Sequence, residues 1–137
     1  MNTPVLSNEA SDSIRKHVLA SLQHMENGQL MLNKQQAGKA GELLWGGVSQ
    51  ALEALAETRN MRLANHRSLR YFVGELSREM GDRSISDAFY QAEALHSNFH
   101  SVDLSVENVA ANVDAIRELV SKLLSMIPPE SVNEKGP

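Results

Sequence analysis

The chain has 137 residues, no cysteine and a formal net charge of -4. This length is typical of one domain that buries its own core, and the lack of cysteine excludes disulfide frameworks, thiolate zinc sites and cysteine nucleophiles. The acidic balance argues against a broad nucleic-acid-binding surface, so any contact with RNA has to be local.

The N-terminal stretch MNTPVLSNEASDSIRKH shows no basic start followed by an apolar core, as a secretory signal would. No run approaches the roughly 18 uninterrupted apolar residues of a membrane span. A cysteine-free composition also suits a reducing compartment. We therefore expect a cytoplasmic protein without membrane contact.

Apolar residues recur at intervals of three and four through most of the chain, and no segment alternates as a strand does. This periodicity predicts an all-α fold: one domain over residues 1–127, built as an up-and-down bundle of about five helices. Residues 128–137 begin with two prolines and contain few apolar side chains, which predicts a flexible C-terminal tail.

The first two predicted helices cover residues 7–25 and 36–58. Asn27-Gly28 is expected to end the first, because both residues tolerate the left-handed conformation. Their inward faces consist of Ile14, Val18, Leu22 and Met25 in the first helix and Leu44, Val48, Ala51 and Leu55 in the second.

Four glycines lie in the second predicted helix, where each costs about 1 kcal/mol relative to alanine. This cost favours close approach of another helix or of a partner chain as their purpose, with the only tryptophan, Trp45, filling the space beside them. The glycines are Gly38, Gly41, Gly46 and Gly47.

Polar residues mark the starts of the remaining helices: Asn65 for the third, Ser84 with Asp87 for the fourth, and Ser105 for the fifth. Gly81-Asp82 and Pro128-Pro129 are expected to end the third and fifth. The predicted core residues of the third and fourth helices are Leu69, Phe72, Val73, Leu76, Met80, Ile85, Phe89, Ala92, His96 and Phe99, and those of the fifth run from Val106 to Ile127.

Arg59, Asn60 and His66 form the first candidate site, a catalytic one. Metal-free RNA cleavage needs a proton donor or acceptor and a fixed cation near the phosphate, which histidine and arginine supply. His66 at a helix start would also lie near free backbone amides that favour an anion. The alternative is a solvated polar loop between two helices.

Glu93, His96, Asn98 and His100 form a second candidate polar site. Glu93, His96 and His100 occupy one side of the fourth predicted helix, and Glu-x-x-His on an inward face is how di-iron bundles supply ligands. Such bundles need two copies and further glutamates, whereas this chain has one copy. We therefore expect no metal and a largely buried His96 that supports packing.

The segment GKAGELLWGG superficially suggests a phosphate-binding loop. It lacks the Gly-x-x-x-x-Gly-Lys-Ser/Thr order, and no predicted strand precedes it. Close helix packing explains its glycines better, and no nucleotide cofactor or other cofactor is expected from it.

The segments AGELLWGGVSQALEALAETRN, HRSL and AEALHSNFH, followed by a last amphipathic helix, resemble the small PaREP-type helical proteins of the HEPN superfamily. The resemblance covers about residues 36–124. It implies a helical bundle that forms homodimers, and it implies pairing with nucleotidyltransferases in toxin-antitoxin or defence systems.

Active HEPN proteins are metal-independent endoribonucleases that use an Arg-x4–6-His motif, which Arg59, Asn60 and His66 match with six intervening residues. The resemblance thus implies a candidate RNA- or nucleotide-binding protein and a candidate metal-independent ribonuclease. The alternative is a non-catalytic helical dimer that acts as a protein interaction module.

Overall fold

The computed structural model describes residues 8–97 and 104–132. In those residues the chain forms helices and no strand, which confirms the predicted all-α bundle. The elements are α1 (Asn8–Asn33), α2 (Ala37–Thr58), α3 (His66–Met80), α4 (Arg83–Ser97), α5 (Val106–Ser125) and a short 3₁₀ helix (Pro129–Ser131).

Helix α1 continues through Gly28, so the predicted stop at Asn27-Gly28 is wrong. Gly28 is buried against Leu44, whose Cδ2 would lie 3.0 Å from a Cβ at this position. The helix instead ends where Gln35 takes a φ of 60°, and the Gln36 N–H donates to the Met31 carbonyl at 2.9 Å. Gln35 therefore supplies the left-handed turn that the sequence pattern assigned to Gly28.

Helix α2 lies at the centre of the bundle and contacts each of the other four α-helices. Its glycines allow α1 and α4 to approach closely: a Cβ at Gly47 would lie 2.6 Å from the Met25 sulfur, and one at Gly41 would lie 3.3 Å from the Leu95 Cβ. The close packing predicted from these glycines is therefore found, and it joins helices of the same chain.

Helices α2 and α3 run in the same direction, which interrupts the alternation of an up-and-down bundle. Arg59 at the end of α2 forms an ion pair of 3.0 Å with Glu79 near the end of α3. At the other end, His66 begins α3 beside Trp45, in the first half of α2. The non-helical residues 61–64 therefore carry the chain back along α2.

The helix starts follow from local hydrogen bonds. The Asn65 side chain accepts from the Ser68 N–H, and Ser105 does the same for Asn108, so both predicted caps are confirmed. For α4 the predicted cap is wrong. Asp82 caps this helix, because its Oδ1 accepts from the Ser84 N–H at 3.0 Å.

The core joins buried side chains of all five α-helices. Two predicted core residues, Leu22 and Met80, are instead half exposed. The described part of the predicted tail is packed: Ser131 is buried, and Arg15 donates to the Val132 carbonyl at 3.2 Å. The rest of that segment, residues 133–137, lies outside the described residues.

Candidate functional site

Three aromatic rings from three helices stack on one another. The ring centroids of Trp45 and His66 are 5.1 Å apart, those of Trp45 and His96 are 5.4 Å apart, and those of the two imidazoles are 5.2 Å apart. The planes differ by only 19° to 26°. The indole is buried, whereas the His66 and His96 side chains are 43% and 36% exposed. The two imidazoles therefore offer surface to a ligand above a buried indole.

Each imidazole is held by a carboxylate from a different helix. The Nδ1–H of His96 donates to Glu42 Oε1 at 2.7 Å, and the Nδ1–H of His66 donates to Glu93 Oε2 at 3.2 Å. A carboxylate at Nδ1 fixes the ring orientation and leaves Nε2 for proton exchange or for a ligand. Among the described residues, no group forms a hydrogen bond with either Nε2.

Arg70 places a guanidinium beside the imidazoles. Its Nε donates to Glu93 Oε2 at 2.9 Å, and about half of the side chain is exposed. Because the hydrogen bonds to Glu93 use only Nε, the terminal nitrogens can donate to an anion. The first turn of α3 adds backbone N–H groups that favour negative charge at the same end of the helix.

We call this arrangement the imidazole site. Each contributing helix supplies two residues spaced three or four apart, so that both side chains project from the same side of that helix. The members are Glu42 and Trp45 of α2, His66 and Arg70 of α3, and Glu93 and His96 of α4.

The Arg59 and His66 side chains do not lie near each other in this chain. Its guanidinium pairs with Glu79 and lies 5.8 Å from the centre of the Phe72 ring. Glu79 is thirteen residues after His66 in α3, about 20 Å along the helix axis at 1.5 Å per residue. The loop geometry expected from the Arg-x6-His spacing is therefore not formed within one molecule.

Asn60 lies elsewhere as well. It has a φ of 57° and lines a polar pocket of about 440 Å³ together with His17 and Glu57. In that pocket the Ser13 hydroxyl donates to Glu57 Oε2 at 2.8 Å. Of the three residues in the first candidate site, only His66 belongs to the imidazole site.

The two sites predicted from sequence merge in part, because His66 of the first meets Glu93 and His96 of the second. His96 is partly exposed, so the prediction of a largely buried packing residue is wrong. Asn98 and His100, also assigned to the second site, lie outside the described residues.

Sequence reasoning missed Glu42 and Arg70 and assigned Trp45 to packing alone. A local signal was present in all three cases: a polar or aromatic residue three or four positions from another on the same helix. What the sequence did not reveal is that three such pairs face one another.

Among the described residues, no group of three or more His, Cys, Asp and Glu side chains is placed to hold a metal ion. In the same residues, no helix combines the length and apolar character needed to cross a membrane.

A sequence model described as the archaeal PaREP1/PaREP8 family matches residues 16–120, a range that contains every member of the imidazole site. No curated protein and no solved structure gives a significant match. Because the family model matches well over half of the chain, the protein belongs to the archaeal PaREP1/PaREP8 family.

Proposed function

We propose that the imidazole site binds single-stranded RNA and cleaves it without a metal ion, as a HEPN-like endoribonuclease. The observation that carries the proposal is the pair of imidazoles, 5.2 Å apart, each anchored at Nδ1 by a glutamate. The sequence resemblance to HEPN ribonucleases supports the same reaction class. The geometry supports catalysis by His66 and His96 with Arg70, whereas the Arg-x6-His motif would pair His66 with Arg59.

Two histidines fulfil the two proton-transfer roles of RNA cleavage. The neutral imidazole of one accepts the proton of the ribose 2′-hydroxyl at Nε2, while the 2′-oxygen forms a bond to phosphorus. The bond from phosphorus to the 5′-oxygen breaks, and the protonated imidazole of the other histidine donates its Nε2 proton to that oxygen. The products are a 2′,3′-cyclic phosphate and a 5′-hydroxyl.

Arg70 and the start of α3 supply positive electrostatic potential for this reaction. The terminal guanidinium nitrogens can donate to the phosphate oxygens as negative charge builds up on them. Glu93 holds this guanidinium through Nε at 2.9 Å and so keeps it beside His66. Because the protein carries a net charge of -4, binding depends on this local patch and should weaken with salt.

Base recognition follows from the exposed parts of the two imidazoles. Unpaired nucleobases stack on aromatic side chains, including histidine, and such stacking tolerates any base. Bases within a duplex are already stacked on their neighbours. We therefore expect a preference for single-stranded RNA with little sequence selectivity.

The experiment compares wild type with His66→Ala and His96→Ala on a labelled single-stranded RNA at low salt. Each substitution should slow cleavage by roughly 10²- to 10⁴-fold, the usual contribution of a general acid or base. His17→Ala is the matched control, because His17 lies in the other polar pocket, and it should cleave as wild type does. Identical purification of all variants excludes contaminating nucleases.

The products and the substrate requirement test the chemistry itself. Cleavage should leave 2′,3′-cyclic phosphate ends, should persist in EDTA, and should stop when the reacting nucleotide lacks its 2′-hydroxyl. Binding can be followed separately through Trp45, since it is the only tryptophan and contacts both imidazoles. A wild-type protein that neither cleaves RNA nor changes its fluorescence with RNA at low salt would refute the proposal.

A further inference from the structure

The outer side of α1 exposes a row of leucines, none of which belongs to the imidazole site. Leu19, Leu22 and Leu30 are 65%, 50% and 46% exposed. Their spacing of three and eleven residues from Leu19 places them within one side of the helix. Several large aliphatic side chains grouped on one helix of a folded domain indicate a contact surface.

A groove between α1 and α5 adjoins these leucines. Its volume is about 530 Å³, and its apolar lining comes from both helices. Leu22 and Leu30 stand at its α1 side, and Val120 and Leu124 at its α5 side. We call these residues and Leu19 the leucine face, which thus carries both projecting side chains and a groove that can receive them.

Two opposite charges border the same groove without neutralising each other. Glu26 and Arg117 both line it, and neither forms an ion pair in the part of the chain that the structure describes. The Arg117 guanidinium instead donates to Gln29 Oε1 at 2.6 Å. A partner that presents an acidic and a basic group with leucines beside them would complement this surface.

We propose that the occupant is a second copy of the chain, in a two-fold symmetric dimer that pairs the leucine faces. In such a dimer the same surface meets itself, so every residue contact occurs twice. Leucines of one copy enter the groove of the other, and Glu26 of each copy meets Arg117 of the other. The glycines that first indicated a partner chain do not serve this contact, because Gly41, Gly46 and Gly47 pack against the chain's own helices.

Light scattering after size exclusion tests the dimer on the full chain. Wild type at tens of micromolar should show twice the monomer mass. Leu22→Arg should raise the dimer dissociation constant by roughly 30-fold or more, as expected for a central interface residue. Tyr71→Arg is the control: Tyr71 is 65% exposed but belongs to α3, so its substitution should leave the mass unchanged.

Exchanging the two charges tests whether Glu26 of one copy meets Arg117 of the other. Glu26→Arg alone and Arg117→Glu alone each place like charges opposite one another and should weaken the dimer. An equimolar mixture of the two variants should associate again, because one copy then offers two arginines and the other two glutamates. Circular dichroism confirms that each variant is folded.

Three outcomes would overturn the inference: a monomeric wild type, a dimer insensitive to Leu22→Arg, or a mixture of charge variants that stays monomeric. Binding of a monomeric wild type to phosphatidylcholine vesicles through Leu22 would assign the leucine face to a lipid surface instead. The proposed ribonuclease function does not depend on this inference, since the leucine face contains no member of the imidazole site.

Discussion

Glu93 is the residue on which the imidazole site depends most, because it accepts hydrogen bonds from two side chains at once. Its carboxylate accepts from His66 Nδ1 and from Arg70 Nε, and it is one of the few buried acidic or polar residues among those described. A buried carboxylate of this kind has to be satisfied by hydrogen bonds. Its partners therefore fix both its position and theirs.

Glu93→Gln should lower the free energy of unfolding by about 1–3 kcal/mol, the usual cost when charge-assisted hydrogen bonds of a buried group are lost. The neutral amide of glutamine removes the charge from the hydrogen bonds with His66 and Arg70, and its nitrogen cannot accept from the Arg70 Nε as Oε1 does at 3.2 Å. Urea denaturation followed by circular dichroism measures the change.

The matched control for this substitution is Glu75→Gln. Glu75 pairs with Arg78 at 3.0 Å, but both side chains are largely exposed, so we expect a change within about 0.5 kcal/mol. Equal effects of the two substitutions would contradict the assigned role of Glu93.

At the scale of the elements, the return of the chain along α2 decides where the site forms. The segment after α2 holds Asn60 in a left-handed conformation and continues without helix from residue 61 to residue 64. Helix α3 can therefore begin beside Trp45. Had α3 simply folded back after a tight turn, His66 would lie near the end of α2, remote from His96.

Glycines show how packing and helix propensity oppose each other. Gly47→Ala should destabilise the protein by about 1–3 kcal/mol despite the better helix propensity of alanine, because the new methyl group overpacks the α1–α2 contact. Its Cβ would lie 2.6 Å from the Met25 sulfur and 3.3 Å from the Ser21 carbonyl oxygen.

Gly74→Ala should instead increase the stability of the protein. A Cβ there meets only the Arg78 Nη1, at 3.8 Å, so alanine should stabilise α3 by about 0.5–1 kcal/mol. Thermal and urea denaturation of both variants would test the pair. Destabilisation by both would show that helix packing does not distinguish these positions.

At the scale of the whole molecule, a polar contact joins the start of α4 to the last turns of α5. Asp82 Oδ2 accepts from Lys122 Nζ at 2.9 Å, and its Oδ1 accepts from the Ser84 backbone and hydroxyl. The hydrogen bonds from Ser84 and Lys122 lower the pKa of Asp82 from 3.8 to about 2. The bond to Asp82 raises the pKa of Lys122.

These shifts predict how stability depends on pH. Because the pKa of Asp82 is lowered on folding, its contribution is fully present above pH 3.8 and is lost as the pH falls through about 2. The raised pKa of Lys122 makes its contribution fully present below its ordinary value of 10.5 and lost above the raised value.

Asp82→Asn should therefore be less stable than wild type near neutral pH, and the difference should shrink as the pH falls from 3.8 towards 2. Asparagine keeps the helix cap, so the comparison isolates the charge. Urea midpoints at a series of pH values measure this difference in stability. The control is Asp87→Asn, a substitution within α4. A difference that persists unchanged to pH 2 would contradict this account.

Local features of the chain were largely predictable. Caps such as Asn65 and Ser105 depend on a side chain and the backbone within one turn, and the periodicity of buried residues such as Phe72 and Phe89 reveals the inward side of each helix. The prediction erred where two local choices competed. Gly28 could either end a helix or permit close packing. In the structure Leu44 packs against Gly28, and the helix continues through it.

The sequence by itself determined the helical class, most helix boundaries and the presence of histidines, acids and arginines between residues 42 and 96. Only the tertiary structure decided which of them meet. Arg59 and His66 are seven positions apart in the chain yet separated by the length of α3, while Glu42 and His96 are 54 positions apart and in hydrogen-bond contact. Helix propensity acts over a few residues, whereas the direction of α3 depends on which apolar surfaces α2 and α4 present to it.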